Sequence, residues 1–109
     1  MTTATKEKKG FVHHVYFWMK NADDLAAKDR LKAGLNELVK IDAIKAYHLG
    51  VPANTPREVV DNSYAFSLLL FFENKADQDI YQQHPDHLKF IEECQDTWER
   101  VQVYDSIDM

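Results

Sequence analysis

Four segments of the chain have the hydrophobic pattern of β-strands. Residues 11–20 and 64–73 are dense in aromatic and aliphatic side chains and are too short for isolated helices. Residues 43–51 and 98–105 are shorter apolar stretches of the same kind. The pattern therefore predicts four strands, of which residues 64–73 give the strongest signal.

Helical spacing marks the segments between these strands. Leucines recur at helical intervals across residues 25–39, after a pair of aspartates suited to N-capping. Gly34 interrupts this helix at a cost of about 1 kcal/mol relative to alanine, so we expect close packing there. Asn74 would cap a short helix to about residue 83, and Pro85 fits the first position of a helical stretch to about residue 97.

The predicted order is β-α-β-β-α-β, so the fold class is α+β with a ferredoxin-like protomer. Right-handed crossovers place both helical segments on one face of the sheet. Residues 1–10 are polar and are predicted to be a flexible tail, whereas residues 11–109 form a single domain. Residues 52–63 are predicted to form a long loop.

The two central strands are apolar on both faces, which bears on assembly. In residues 11–20, one set of alternating side chains includes His13 and Val15, and the other includes His14 and Tyr16. Helices cover one face only, and soluble monomers avoid a large exposed apolar patch. Two copies packed face to face would close a dimeric α/β barrel. The alternative is a monomer whose loop 52–63 folds over the sheet.

Composition and charge exclude several classes of function. Apolar residues make up 45% and charged residues 28% of the chain, as in ordinary globular domains. The net charge of −5 disfavours a nucleic-acid-binding surface, and no apolar run approaches the ~20 residues needed to cross a membrane. Cys94 is the only cysteine, so no internal disulfide forms. With no signal-peptide pattern, we expect a cytoplasmic protein.

Several segments resemble one known family. They are His13-His-Val-Tyr-Phe-Trp-Met-Lys20, residues 64–73, the motif Tyr81-x-x-His84-Pro-x-His87, and Val103-Tyr-Asp105. Together they are similar to the stress-responsive dimeric α/β-barrel family, called Dabb, over residues 12–106. The resemblance implies a ferredoxin-like protomer and a homodimer. It implies little about chemistry, because most members have no assigned reaction.

One enzyme of this family, the plant olivetolic acid cyclase, closes a linear polyketide by an aldol step without a metal. The resemblance implies that its catalytic histidine corresponds to His87 and its partner tyrosine to Tyr81. A pocket histidine of that enzyme corresponds to His13. Where the enzyme has a histidine on the third strand, this chain has Phe66, which makes the expected pocket less polar.

The motif residues have two interpretations. In the first, His87 is a general base, Tyr81 donates a hydrogen bond to a carbonyl oxygen, and His13, Phe66 and His84 line the ligand pocket. In the second, His84 caps the following helix and His87 binds backbone. Tyr81 and His87 lie six positions apart across Pro85, so regular helical geometry does not bring them together.

A metal site is the weaker alternative. His84, His87 and Cys94 are potential ligands, but Pro85 disrupts their register and Ile91 suggests that Cys94 faces the core. We therefore expect neither a metal nor another cofactor.

Two functions remain open at this stage. The first is a homodimeric protein of unassigned activity with a small cavity for an apolar or carbonyl ligand. The second is a cofactor-independent, polyketide cyclase-like enzyme that uses His87 and Tyr81. Related dimeric barrels include small monooxygenases, so oxygen chemistry is a third possibility by analogy of fold alone.

Overall fold

The computed structural model describes residues 6–109. The first half of the predicted tail, residues 1–5, lies outside the described residues, and residues 6–9 form neither helix nor strand and are exposed. The elements in chain order are β1 (Phe11–Met19), α1 (Leu25–Leu38), β2 (Ala46–Gly50), β3 (Phe66–Phe72), α2 (Lys75–Gln83), α3 (Pro85–Cys94), a 3-10 turn (Gln95–Thr97) and β4 (Trp98–Ile107).

Strand and helix boundaries follow local hydrogen bonds. β2 begins three residues later than predicted because a turn precedes it, in which the Ile44 amide donates to the Ile41 carbonyl at 3.0 Å. Asp24 caps α1 by accepting from the Ala27 amide at 3.0 Å. Asn74 caps α2 in the same way, accepting from the Asp77 amide at 2.9 Å. These caps are the ones that the sequence predicted.

The four strands form one antiparallel sheet in the order β2-β3-β1-β4. In this order β3 and β1 are the central strands. The two longest pairings are those of β1 with β3 and with β4. All five odd-numbered positions of β1 are buried, and the four positions between them are half-buried. The alternation means that α1, α2 and α3 pack on one face of the sheet, as the predicted ferredoxin-like topology requires.

The core lies between this face and the helices, with Leu31 and Leu35 of α1 against Leu68 and Leu70 of β3. Gly34 permits a close approach between α1 and α3, because a Cβ there would lie 2.6 Å from the Cys94 sulfur. The close packing expected at Gly34 is therefore present, and Cys94 is part of the core.

The opposite side of the sheet has no helical cover within residues 6–109, and we call it the open face. Its members are Val12, His14, Tyr16 and Trp18 of β1, His48 of β2, Ser67, Leu69 and Phe71 of β3, and Arg100, Gln102 and Tyr104 of β4. The long loop reaches only one end of this face, where the Trp18 indole donates to the Ser63 hydroxyl at 2.9 Å. Tyr64 packs edge-on against Tyr16 at the same end, with ring centroids 4.8 Å apart.

Arg100 stacks over the Trp18 ring at 4.2 Å from its centroid, so this end of the open face also carries a cation–π contact. The middle of the face, around Leu69 and His14, keeps its half-buried apolar side chains without a covering segment. No helix among residues 6–109 has the length and apolar character that a membrane span requires.

Candidate functional site

The Tyr81-x-x-His-Pro-x-His motif forms a sharp junction between α2 and α3. His84 is the single residue between the two helices, and its extended backbone (φ −64°, ψ 138°) turns the chain. Pro85 then begins α3, where its missing amide hydrogen costs nothing. This turn brings Tyr81, at the end of α2, and His87, in the first turn of α3, to a ring-centroid distance of 4.7 Å. Regular helical spacing would have kept them apart.

His13 reaches the same place from the sheet. It lies on the helix-covered face of β1, and its ring centroid is 5.8 Å from that of Tyr81. His13, Tyr81 and His87 surround one cavity of about 150 Å³, which we call the central cavity. Its remaining walls are mostly apolar and include Val15, Phe17, Leu68, Phe90, Ile91, Trp98, Val101 and Val103. Three polar rings thus converge on a small apolar space.

Asp105 is the site residue that sequence reasoning missed. It lies directly opposite His13 in the pairing of β1 with β4, and its carboxylate oxygen is 2.6 Å from the His13 Nδ1. His13 is 7% exposed, so this contact fixes the orientation of a buried imidazole. It leaves Nε2 as the ring nitrogen that is open to a ligand. The feature of the sequence that could have identified Asp105 is a carboxylate on the last predicted strand, on the same face of the sheet as His13.

His87 is buried and electrically neutral near pH 7. Desolvation lowers its pKa below the usual imidazole value, the Gln82 backbone carbonyl opposes this shift, and nearby His13 adds to it. The Nδ1 atom is enclosed and has no hydrogen-bond partner. An enclosed polar atom left unpaired costs about 1–3 kcal/mol, and such atoms are rare in folded proteins. The unpaired Nδ1 and the place of the ring in the cavity wall make His87 a candidate hydrogen-bond partner for a ligand in the central cavity.

Tyr81 has the opposite chemical character. It is 1% exposed, and burial raises the pKa of its phenol well above the usual value. The hydroxyl therefore stays protonated at every physiological pH and can act only as a neutral hydrogen-bond donor or acceptor. The central cavity pairs this donor with the neutral base His87.

The other two predicted pocket residues lie elsewhere. His84 caps α3, with its Nδ1 accepting from the Asp86 amide at 3.0 Å, and it does not line the central cavity. Phe66 lines a separate pocket of about 240 Å³ beside Leu35 and Leu49. The structure therefore brings together His13, Tyr81 and His87 but neither Phe66 nor His84.

A larger groove, of about 460 Å³, lies between α1 and α3. Its polar side chains are mainly the charged ends of Arg30, Glu37, Lys89 and Glu93 at the surface. The central cavity is smaller, but it alone combines buried polar rings with apolar walls, so we place the candidate site there. No group of three or more His, Cys, Asp or Glu side chains within residues 6–109 is arranged to hold a metal ion.

Comparison with known proteins gives a family and a fold. The family model described as Stress responsive A/B Barrel Domain, or Dabb, matches residues 11–108. Three solved structures are among those similar to this chain. A Dabb family protein with a ferredoxin-like fold from Mesorhizobium loti is 22% identical, with a TM-score of 0.74 over 91% of this chain and 96% of that chain.

A dimeric ferredoxin-like protein of unknown function from Thermobifida fusca is 15% identical, with a TM-score of 0.74 over 98% of this chain and 100% of that chain. A hydroxynitrile lyase from Passiflora edulis is 20% identical, with a TM-score of 0.73 over 94% and 96%. The sequence matches none of the curated proteins with which it was compared. The predicted family resemblance and the ferredoxin-like fold are confirmed.

The lowered pKa of His87 predicts a pH dependence of stability. Below about pH 6.5 the unfolded chain binds a proton at residue 87 more readily than the folded chain does, so the free energy of unfolding falls as the pH falls. Urea unfolding at pH 7.5, 6.5 and 5.5 should give a shallower pH dependence for His87→Gln than for wild type. His84→Asn, which keeps an N-cap at the surface, should retain the wild-type dependence. An unchanged dependence in His87→Gln would show that the imidazole is not desolvated.

Proposed function

The chain belongs to the stress responsive A/B barrel domain family, and we propose that it works as a homodimer whose protomers each bind a small, largely apolar carbonyl or hydroxyl compound. The observation that supports this proposal best is the convergence of His13, Tyr81 and His87 on one apolar cavity. The second candidate, a cofactor-independent enzyme, uses the same side chains.

The open face supports the homodimer. Its central strands offer Val12, Leu69 and Phe71 to solvent, and no helix of the described residues covers them. Packing two such faces together removes this apolar surface from water at about 25 cal/mol per Å². Eight strands from two copies are enough to close a barrel, whereas four are not. The similar protein from Thermobifida fusca is itself dimeric.

The size of the central cavity limits the ligand. A cavity of about 150 Å³ with apolar walls is large enough for one benzene ring, as engineered protein cavities show. The polar rings add the Tyr81 hydroxyl as a donor and the ring nitrogens of His13 and His87 as further hydrogen-bonding groups. They fit a ring or short chain that carries a single oxygen, and they do not fit an extended polyketide within the cavity.

The enzyme alternative rests on the difference between His87 and Tyr81. A neutral imidazole takes the proton from a carbon next to a carbonyl group, and the electron pair moves onto the carbonyl oxygen to form an enolate. The protonated Tyr81 donates a hydrogen bond to that oxyanion. This step needs no cofactor, and it is the first step of a cyclase-like aldol reaction. The similar hydroxynitrile lyase indicates that this fold supports catalysis in at least one relative.

The homodimer predicts a strong effect of charge on the open face. Leu69→Glu would bury one carboxylate from each copy in a symmetric interface, and the cost of desolvating two like charges should raise the dissociation constant by at least about 100-fold at pH 7.5. Sedimentation velocity over a micromolar dilution series measures it. Leu88→Glu is the matched control, because Leu88 is 57% exposed on α3, away from the open face. A wild-type protein that stays monomeric throughout would refute the homodimer.

The ligand proposal predicts that two probes depend on different residues. Phenol would donate a hydrogen bond to His87, so His87→Leu should weaken phenol binding by about 10-fold. Benzaldehyde would accept a hydrogen bond from Tyr81, so Tyr81→Phe should weaken benzaldehyde binding by about 10-fold. Benzene, which makes neither hydrogen bond, should bind both variants as it binds wild type. NMR titration measures all three affinities. Val103→Phe fills the central cavity and should abolish binding of every probe; probes that still bind this variant occupy another site.

The enzyme alternative predicts exchange of carbon-bound protons. In D2O, the methyl protons of acetophenone should exchange at least about 100-fold faster with wild type than with His87→Leu, as followed by proton NMR. Tyr81→Phe should also slow the exchange, because the enolate oxygen loses its donor. Equal rates for wild type and His87→Leu, with ligand binding intact in wild type, would exclude base catalysis and leave the binding function.

A further inference from the structure

Two histidines lie in one cross-strand row at the middle of the open face. Leu69 of β3 pairs with His48 of β2 on one side and with His14 of β1 on the other, and His14 pairs in turn with Tyr104 of β4. We call these four residues the open-face row. The row crosses all four strands, and all its side chains point away from the helices because paired residues share a face.

No carboxylate is present in the open-face row to compensate a charge on its histidines. His14 is half-buried, and its Nδ1 lies 3.3 Å from the Tyr16 hydroxyl on the same strand. The titratable groups that face it are Tyr16, His48 of β2 and Tyr104 of β4, while β3 contributes Leu69 only. His13 is the neighbour along β1 and points to the other face. Arg100, at the Trp18 end of the open face, is a further cation, and the Asp61 carboxylate of the long loop lies beside it in a cavity that Tyr16 and Tyr104 also line.

The pKa of His14 shows that the protomer already disfavours its charged form. Burial lowers this pKa below the usual value, and proximity to His48 and His13 lowers it further. Each neighbour that acts on His14 is thus another imidazole and not an acid.

We propose that protonation of His14 and His48, which lie in the open-face row, loosens the dimer below neutral pH. The inference rests on the homodimer proposed above, with its interface on the open face, and adds the response of that interface to acid.

Face-to-face packing explains the effect. Stacked sheets lie about 10 Å apart, so two-fold symmetry brings the rows of both copies, and therefore four histidines, into one layer. In the monomer each imidazolium keeps part of its hydration, whereas in the dimer it is buried among apolar side chains and other cations. The dimer therefore binds fewer protons than two monomers in the range below about pH 6.5. Its stability is complete above this range and is lost as the pH falls through it.

The test is the dimer dissociation constant at three pH values. Sedimentation velocity at pH 7.5, 6.5 and 5.5 compares wild type, the double variant His14→Gln/His48→Gln and the control His84→Asn, whose imidazole is outside the open face. We expect the dissociation constants of wild type and His84→Asn to rise by at least about 10-fold from pH 7.5 to 5.5. A 10-fold rise corresponds to dimerisation lowering the pKa of one histidine by one unit. The double variant should show little change. Far-UV circular dichroism at each pH verifies that the chain stays folded.

Each outcome separates this inference from the homodimer itself. A wild-type dimer whose dissociation constant is the same at all three pH values overturns the pH response and leaves the homodimer standing. An equal rise in the double variant assigns the response to other groups and also overturns it. A monomer at every pH refutes the homodimer and the inference together.

A second measurement tests the inference even if the double variant fails to dimerise. The imidazole of His14 can be titrated by NMR in wild type and in Leu69→Asn, which is expected to be monomeric because it would bury two unpaired amides, and which adds no charge beside His14. The inference requires a lower pKa for His14 in the dimer than in the monomer. Equal values would place the row outside the interface.

Discussion

The organisation of this protein depends on the mismatch between a sheet with two apolar faces and a layer of helices that covers only one of them. Burial of β1 on its odd positions supplies the core, and the same strand presents Val12, Tyr16 and Trp18 on the other side. The helix-covered face holds the candidate site, and the open face is free for assembly. Under the proposed function, the two faces of β1 have different roles, since the adjacent residues His13 and His14 lie in the candidate site and on the open face respectively.

The fold followed from the sequence because its signals are local. Alternation predicted the strands, caps predicted the helix starts, and Pro85 predicted the break between α2 and α3. The errors occurred where tertiary pairing decides the boundary. β2 begins only at Ala46 because a turn at residues 41–44 precedes it, and β4 continues to Ile107 because β1 extends to Phe11.

The site was less predictable than the fold. The convergence of Tyr81 and His87 rested on family resemblance, because it depends on the backbone of one residue, His84, whose conformation the sequence does not specify. Asp105 escaped notice because its role exists only in the register of β1 with β4. Phe66 and His84 were assigned to the pocket by family resemblance, and packing places them in other surroundings.

The contact between His13 and Asp105 joins positions 92 residues apart in the chain. This separation affects the order of events during synthesis. The His13 imidazole has no carboxylate partner until β4 has been made and has left the ribosome. The central cavity also takes part of its wall from β4, so it stays open on that side until then. Contacts between such distant positions form late in folding, since loop closure must be completed first. The candidate site is therefore complete only after the last strand of the domain has been made.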